Sequence, residues 1–460
     1  MSDLCTRALT YARTNQARFL ETYKTFLAIP SVSTDPAHVA DVQQAAAWVA
    51  EQLKALGAEH VQIIPTRRHP MIYGDLLNAG PDAPTVLVYG HYDVQPVDPL
   101  ELWESAPFTP TERDDYIYAR GASDMKGQVM AAFNAIESLQ RSGGVPLNIK
   151  FMLEGEEEIG SPSMESFLAE HRDLLVSDFS LNPDAGGLVN GIPTIGYALR
   201  GLSYFELRVY GPARDLHSGV FGGVIHNPAQ ALCELIAGMH DDEGRVTLPG
   251  FYDAVRQLDA AERADMARLP YADAFFQQEA GVSHLWGEAG YTAVERVGAR
   301  PTLEVNGLLS GFTGKGSKTV LPAWAMAKIS MRLVPDQHPA EVHQQFVRYL
   351  ESHAPPTVRW EIEDLSSGDP VITDRNLPAV QALYRALHDV WGVEPIFIRG
   401  GGSVPVVAHL RQYVGIDSLL TGFGQPGDQI HSPNERMHLP TWYRGIEALI
   451  RFFVNVTNRD

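Results

Sequence analysis

Thr85-Val86-Leu87-Val88-Tyr89-Gly90-His91-Tyr92-Asp93 and Leu147-Asn148-Ile149-Lys150-Phe151-Met152-Leu153-Glu154-Gly155-Glu156-Glu157-Glu158 each run from an apolar stretch straight into charge. Both read as buried strands of a layered α/β sheet. A buried strand has no structural use for carboxylates at its C-terminal end, and that edge is where open α/β sheets form ligand sites. Imidazole nitrogen and carboxylate oxygen are also the donor set of zinc, manganese and cobalt sites. The two segments together predict a metal-dependent enzyme.

The surrounding pattern agrees. Helical spacing covers 3–28 and 41–56, strands are expected at 59–64, 71–78, 85–90, 147–153 and 177–181, and helices are expected from the segment 121–127 to about Arg141 and at 162–171. Alternating strands and helices argue for an α/β layer fold. Near Arg200 the character changes. Strands at 203–210 and 325–333 and helices at 229–239 and 340–350 predict an inserted α+β domain over 199–368. The α/β pattern then resumes with helices at 377–390 and 405–411, strands at 394–399 and 416–421, and a final helix from Thr441. Residues 1–198 and 369–460 would thus form one domain interrupted by the other.

Composition bounds the partners. A chain of 460 residues exceeds one core. With 36 basic and 56 acidic residues its formal charge is −20. That field repels phosphate backbones and argues against nucleic acid. No stretch approaches the roughly 20 apolar residues that span a bilayer, and Met1–Leu20 has no signal-type apolar core. Cys5 and Cys233, far apart, suit a reducing compartment. A cytoplasmic protein is expected.

His91 and Asp93, two apart on a strand, project to one face. His91 reads as a metal ligand with Asp93 holding its second ring nitrogen, or as an ordinary strand-end contact. Asp124 follows 33 residues later in Gly121-Ala122-Ser123-Asp124-Met125-Lys126-Gly127, and could equally cap the next helix. Glu157 follows after another 33, in an acidic run that could be a solvated loop. Asn182-Pro183-Asp184 ends a further strand, and His431 lies in a loop after the strand ending at Thr421. Each residue alone is ambiguous. Five at the strand-to-loop ends of one frame make a metal site.

GHYDVQP, GASDMKG, EGEEEIGS, NPD, DLHSG, MRLVP, GGSVP and IHSPNE, in this order over nearly the whole chain, resemble the M20 metallopeptidases, and within them the cytosolic non-specific and carnosine dipeptidase branch. The resemblance implies a phosphorylase/hydrolase-like catalytic domain, a mixed sheet between helices, with an inserted lid and dimerisation domain. It implies two divalent ions, zinc foremost with manganese or cobalt as alternatives, bridged by Asp124. His91 and Asp184 would complete one site, Glu158 and His431 the other. Asp93 would support His91, and Glu157 would be the general base. A non-proline cis peptide is expected at Asp124–Met125. The resembled family typically carries Asp at the position of Asp184 in its aminopeptidases and dipeptidases, and Glu there in its carboxypeptidases and deacylases.

The resemblance also assigns substrate contacts. His217, in the lid, would cross a homodimer interface and polarise the scissile carbonyl in the partner's site. Arg332 would take the substrate's C-terminal carboxylate, with Thr319 as a further contact. The glycine loop Gly400-Gly401-Gly402-Ser403-Val404-Pro405 lacks the Lys-Ser/Thr of a nucleotide loop. Ser403 and its neighbouring amides are expected to hold a peptide terminus. The carnosine branch has His-Gly-Gly where this chain has Ser366-Ser367-Gly368, a departure that bears on substrate preference. The expected activity is hydrolysis of short peptides with a free C-terminal carboxylate. The rivals are an N-acyl amino acid deacylase of acetylornithine or succinyl-diaminopimelate type, and a non-catalytic, metal-stabilised binding protein.

Overall fold

The computed structural model describes residues 3–184 and 187–457. They form two compact units: one of Met1–Tyr197, Thr373–Ile398 and Pro405–Asp460, the other of Ala198–Ile372 with Arg399–Val404.

The first unit is built on a mixed sheet. Its strands run in the order Glu59–Ile64, Met71–Leu76, Asn148–Glu154, Thr85–His91, Phe179–Asn182, Asp417–Leu420 and Ile192–Leu199. The pairs among Asn148–Glu154, Thr85–His91, Phe179–Asn182 and Asp417–Leu420 are parallel, and the flanking pairs are antiparallel. The parallel strands are buried almost throughout, as central strands covered on both faces must be. Helix Lys126–Gln140 is buried nearly all round, the signature of an inner-layer helix. Leu439–Asn455 packs on it, and Pro378–Trp391 packs on Leu439–Asn455 in turn. Gly127 lets the start of Lys126–Gln140 come close to Tyr23 of helix Gln16–Leu27. A Cβ there would lie 2.3 Å from the Ala122 carbonyl and 2.5 Å from the Tyr23 hydroxyl.

The predicted helix over 3–28 is two helices, Asp3–Thr14 and Gln16–Leu27. Asn15 leaves the helical region at φ −104°, ψ 12°, and its side-chain amide donates to the Tyr11 carbonyl at 2.9 Å. Such local bonding is why asparagine disfavours helix interiors. The helix expected over 405–411 is Pro405–His409, continued by a wider turn at Leu410–Val414.

The second unit carries a four-stranded antiparallel sheet in the order Thr302–Ser310, Trp324–Leu333, Gly201–Tyr210, Arg359–Gly368. Trp324–Leu333 alternates strictly in burial. Its buried face, with Phe205, Leu207 and Val209, meets Leu232 and Leu235 of helix Pro228–Ala237 and Val342 and Phe346 of helix Pro339–His353. The outer strands Thr302–Ser310 and Arg359–Gly368 are mostly exposed, which is why hydrophobic alternation did not reveal them. Ser366-Ser367-Gly368 ends one of them, paired with Leu202, Ser203 and Tyr204.

Candidate metal centre and active site

In the first unit the parallel strands deliver their charged ends to one place. His91 is the last residue of its strand, Asp184 follows Asn182 by two, and Glu157 and Glu158 form a short turn after Glu154. His91 Nε2 lies 3.1 Å from Oδ1 of Asp124 and 3.8 Å from Oδ2 of Asp184. His431 Nε2 lies 2.8 Å from the other oxygen of Asp124 and 3.2 Å from Oε2 of Glu158. The structure thus brings together two groups of three donors, His91-Asp124-Asp184 and Asp124-Glu158-His431, sharing Asp124. Ligands about 2.0–2.1 Å from a tetrahedral zinc stand roughly 3.3 Å apart. The observed spacings bracket that edge, and nitrogen with carboxylate oxygen is a divalent-ion donor set. The residues fit the group.

Local structure explains the aim of each donor. Tyr92, fully buried, lies against Gly155, where a Cβ would come within 2.6 Å of the ring. Asp93 braces two of the candidate donors. Its main-chain oxygen lies 3.1 Å and its Oδ1 3.4 Å from Nδ1 of His91, while Oδ2 accepts the Glu158 N–H at 3.1 Å. Asp184 donates its N–H to the Asn182 side chain at 2.9 Å. The peptide between Asp124 and Met125 is cis. His431 sits in a loop with three left-handed non-glycine residues, Gln429, His431 and Asn434. Such residues are uncommon and need outside support; Asn434 has it, accepting from the Glu104 N–H at 2.8 Å and donating to the Leu102 carbonyl at 2.9 Å.

The electrostatics are those of a cation site. Burial acts to lower the His91 pKa, but Asp124 and Asp93 beside it drive it well above the imidazole range. His431 is pushed up to about 10 by Asp124 and Glu158. Burial raises Asp184 strongly, reinforced by the Asp124 charge. Burial opposes ionisation of Asp124 too, yet its bonds to His431 and His91 hold it below the usual carboxylate range. A field that draws protons onto both imidazoles also draws divalent cations, which displace those protons on binding. Glu157 is different. The structure gives its carboxylate no hydrogen-bond partner among the described residues, and burial, against the counteracting His91, pushes it up to about 7.

The predicted lid residues fall into two pairs within the second unit. His217 and Thr319 meet in a short ladder: His217 pairs with Val320, and the Ser218 N–H donates to the Thr319 carbonyl at 3.1 Å. Arg332 donates to the Ser403 hydroxyl at 3.1 Å, and that hydroxyl donates to the Arg200 carbonyl at 2.5 Å. Ser403 belongs to this unit, through Arg399–Val404, although its segment lies beyond the insertion in sequence.

Three supporting residues escaped the sequence reading. Gln95, in GHYDVQP, donates to Oε2 of Glu158 at 2.8 Å. Glu156, the first of the acidic run, is buried and accepts from the His69 N–H at 2.8 Å and from the N–H and hydroxyl of Ser163. Glu435, in IHSPNE, is buried against Arg120. All lie inside motifs already singled out, but a motif does not say which of its acids turns inward.

The sequence profile described as Peptidase family M20/M25/M40 matches residues 87–455. The chain is 30% identical to the Cys-Gly metallodipeptidase DUG1 of Candida albicans, over 94% of this chain and 93% of that protein. It is 30% identical to the human Beta-Ala-His dipeptidase, over 98% and 93%. Among solved structures, human carnosine dipeptidase 1 superposes with a TM-score of 0.76 at 29% identity, covering 99% of both chains. The M20 family metallo-carboxypeptidase Sso-CP2 of Sulfolobus solfataricus gives 0.80 at 33% identity, covering 95% of this chain and 99% of that one. With a fold, a donor cluster and relatives that coincide over nearly its whole length, the chain belongs to peptidase family M20/M25/M40 and is a metal-binding peptidase.

Proposed function

We propose that this peptidase hydrolyses dipeptides with a free C-terminal carboxylate, using two divalent ions shared by Asp124. The observation that carries the reading is the pairing of each Asp124 oxygen with a different histidine, each pair completed by its own second carboxylate, Asp184 or Glu158. Zinc is the foremost ion, with manganese and cobalt accommodated by the same donors.

When bound, the ions supply Lewis acidity and a water acidified toward neutrality. The chain's own residues do the rest. Asp93 orients His91 and, through the Glu158 N–H, the opposite ligand. Glu157 is placed beside the donors without being tied to them. Raised to about 7 by burial, it is poised both to accept a proton from the attacking water and to release it to the leaving amine. His217 polarises the scissile carbonyl from the partner subunit of a homodimer, and Arg332, Thr319 and Ser403 hold the peptide terminus; these roles rest on the family resemblance. The two cysteines, both free, accord with a cytoplasmic enzyme.

Asp184 favours a dipeptidase over an N-acyl amino acid deacylase, and the names of the Candida albicans and human dipeptidases support that reading. The test is metal analysis with a substrate panel. The zinc-loaded enzyme should hold two ions per chain and cleave dipeptides such as Cys-Gly or β-Ala-His faster than longer peptides, and leave N-acetylornithine intact. Chelation should abolish turnover and zinc, manganese or cobalt should restore it. Deacylation without dipeptide cleavage would overturn the reading. Metal binding without any hydrolysis would instead favour the binding-protein alternative.

A further inference from the structure

Glu435 is fully buried, four residues after His431, and its carboxylate is used to capacity. Oε2 accepts from Nη1 of Arg120 at 2.8 Å and from the Gly121 N–H at 3.0 Å. Oε1 accepts from the Ser123 N–H at 2.9 Å and the Asp124 N–H at 3.0 Å. Its main-chain carbonyl accepts the Ala119 N–H at 3.1 Å. Four main-chain N–H groups of the Ala119–Asp124 loop, those of Ala119, Gly121, Ser123 and Asp124, are therefore fastened to the loop bearing His431. The next residues, Arg436–His438, add a ladder to Tyr116–Tyr118, just ahead of that loop. Arg120 is itself fixed, donating to the Pro96 carbonyl at 2.8 Å.

We propose that Glu435 is a positioning residue for the metal centre: one carboxylate sets the distance between the loop carrying Asp124 and the loop carrying His431. Charge balance with Arg120 alone would need one oxygen. The second oxygen goes to the amides of Ser123 and Asp124, so the acid reaches the backbone of the shared ligand itself. Partners of metal ligands that act in this way typically change metal affinity 10–100-fold. The inference rests on the two-ion reading above, and the experiment separates them.

Zinc is titrated into metal-free wild type, Glu435→Gln, and the pair Arg120→Met with Glu435→Gln. Glutamine keeps the shape but offers one acceptor in place of two and turns a donor toward other donors. In the double variant no buried charge is stranded, so thermal stability should recover toward wild type. Zinc affinity should nevertheless stay 10–100-fold weaker, and the absorption spectrum of the cobalt-loaded variant should differ from wild type. Recovery of zinc affinity together with stability, or an unchanged affinity in folded Glu435→Gln, overturns the positioning role. A wild type that binds no zinc overturns the metal reading instead. Should neither variant fold, amide exchange in metal-free wild type still decides. The Gly121, Ser123 and Asp124 amides should be protected to the level of the Thr85–His91 strand, and free exchange there would overturn the proposal.

Discussion

His431 places its Nε2 2.8 Å from Oδ2 of Asp124, a residue 307 positions earlier in the chain. The other oxygen of Asp124 faces His91. One short side chain thereby receives two histidines, one from a strand end and one from a distant loop. The consequences can be measured.

The two adjacent acids of the turn should separate cleanly. Glu157→Gln is expected to lower kcat by about 10²–10⁴-fold, the span typical of a lost general base, with metal content unchanged. Glu158→Gln should lose metal, because Oε2 of Glu158 lies 3.2 Å from His431 Nε2 and is held by Gln95. Metal analysis of both variants checks this; loss of metal in Glu157→Gln would exchange the two roles.

If His217 acts in the partner's site, two inactive variants should rescue one another. His217→Ala and Glu157→Gln, mixed under conditions where subunits exchange, form hybrid dimers containing one site with a native base and a native histidine. Roughly a quarter of the wild-type activity is expected from a random mixture, since an isologous interface repeats every contact and half the dimers are hybrids with one intact site. Demonstrated exchange without recovered turnover would show that each site uses its own His217, or none.

Glu154 makes stability depend on pH. Burial, with the Asp93 charge second, pushes its carboxyl up to about 8 from 4.5. Between those values the folded chain keeps a proton that the unfolded chain has released. Stability from this group is therefore complete below pH 4.5 and is lost as pH rises through about 8. Glu154→Gln retains an oxygen for the Tyr89 hydroxyl, now 2.8 Å from Oε1, and cannot ionise. Metal-free Glu154→Gln should lose less Tm than metal-free wild type between pH 5 and pH 8. Parallel curves would place the buried charge elsewhere.

Gly155→Ala tests how the turn carrying Glu157 and Glu158 is seated. The added Cβ would meet Cζ and the hydroxyl of Tyr92 at 2.6 Å. Overpacking of this kind costs about 1–3 kcal/mol, and the turn should shift away from the other ligands, lowering activity as well as Tm. Adding Tyr92→Leu should recover much of the stability. If Gly155→Ala alone melts and turns over like wild type, the contact is not a constraint.

Much of this protein was legible in its residues alone. Apolar runs that end in His91, Glu154 and Asn182 are legible because a covered parallel strand must be apolar for its whole buried length. The second unit's central strand shows in the alternation of Trp324–Leu333, whereas its outer strands do not, since an exposed edge imposes no pattern. The identity of the candidate ligands came from motif resemblance, and spacing could not have supplied it: 33 residues separate His91 from Asp124 and Asp124 from Glu157, but one of the two acids fits as a ligand and the other stands apart. The tertiary structure decided what the sequence leaves equivalent. Glu156, Glu157 and Glu158 are identical side chains in a row, yet Glu156 turns into the protein onto the amides of His69 and Ser163, Glu158 faces His431, and Glu157 keeps a carboxylate with no hydrogen-bond partner among the described residues. The tight turn closed by Gly160 at φ 82° sends them in different directions. Which acid is an anchor, which a candidate ligand and which the proposed base follows from where the backbone points each one and which donors the fold places there.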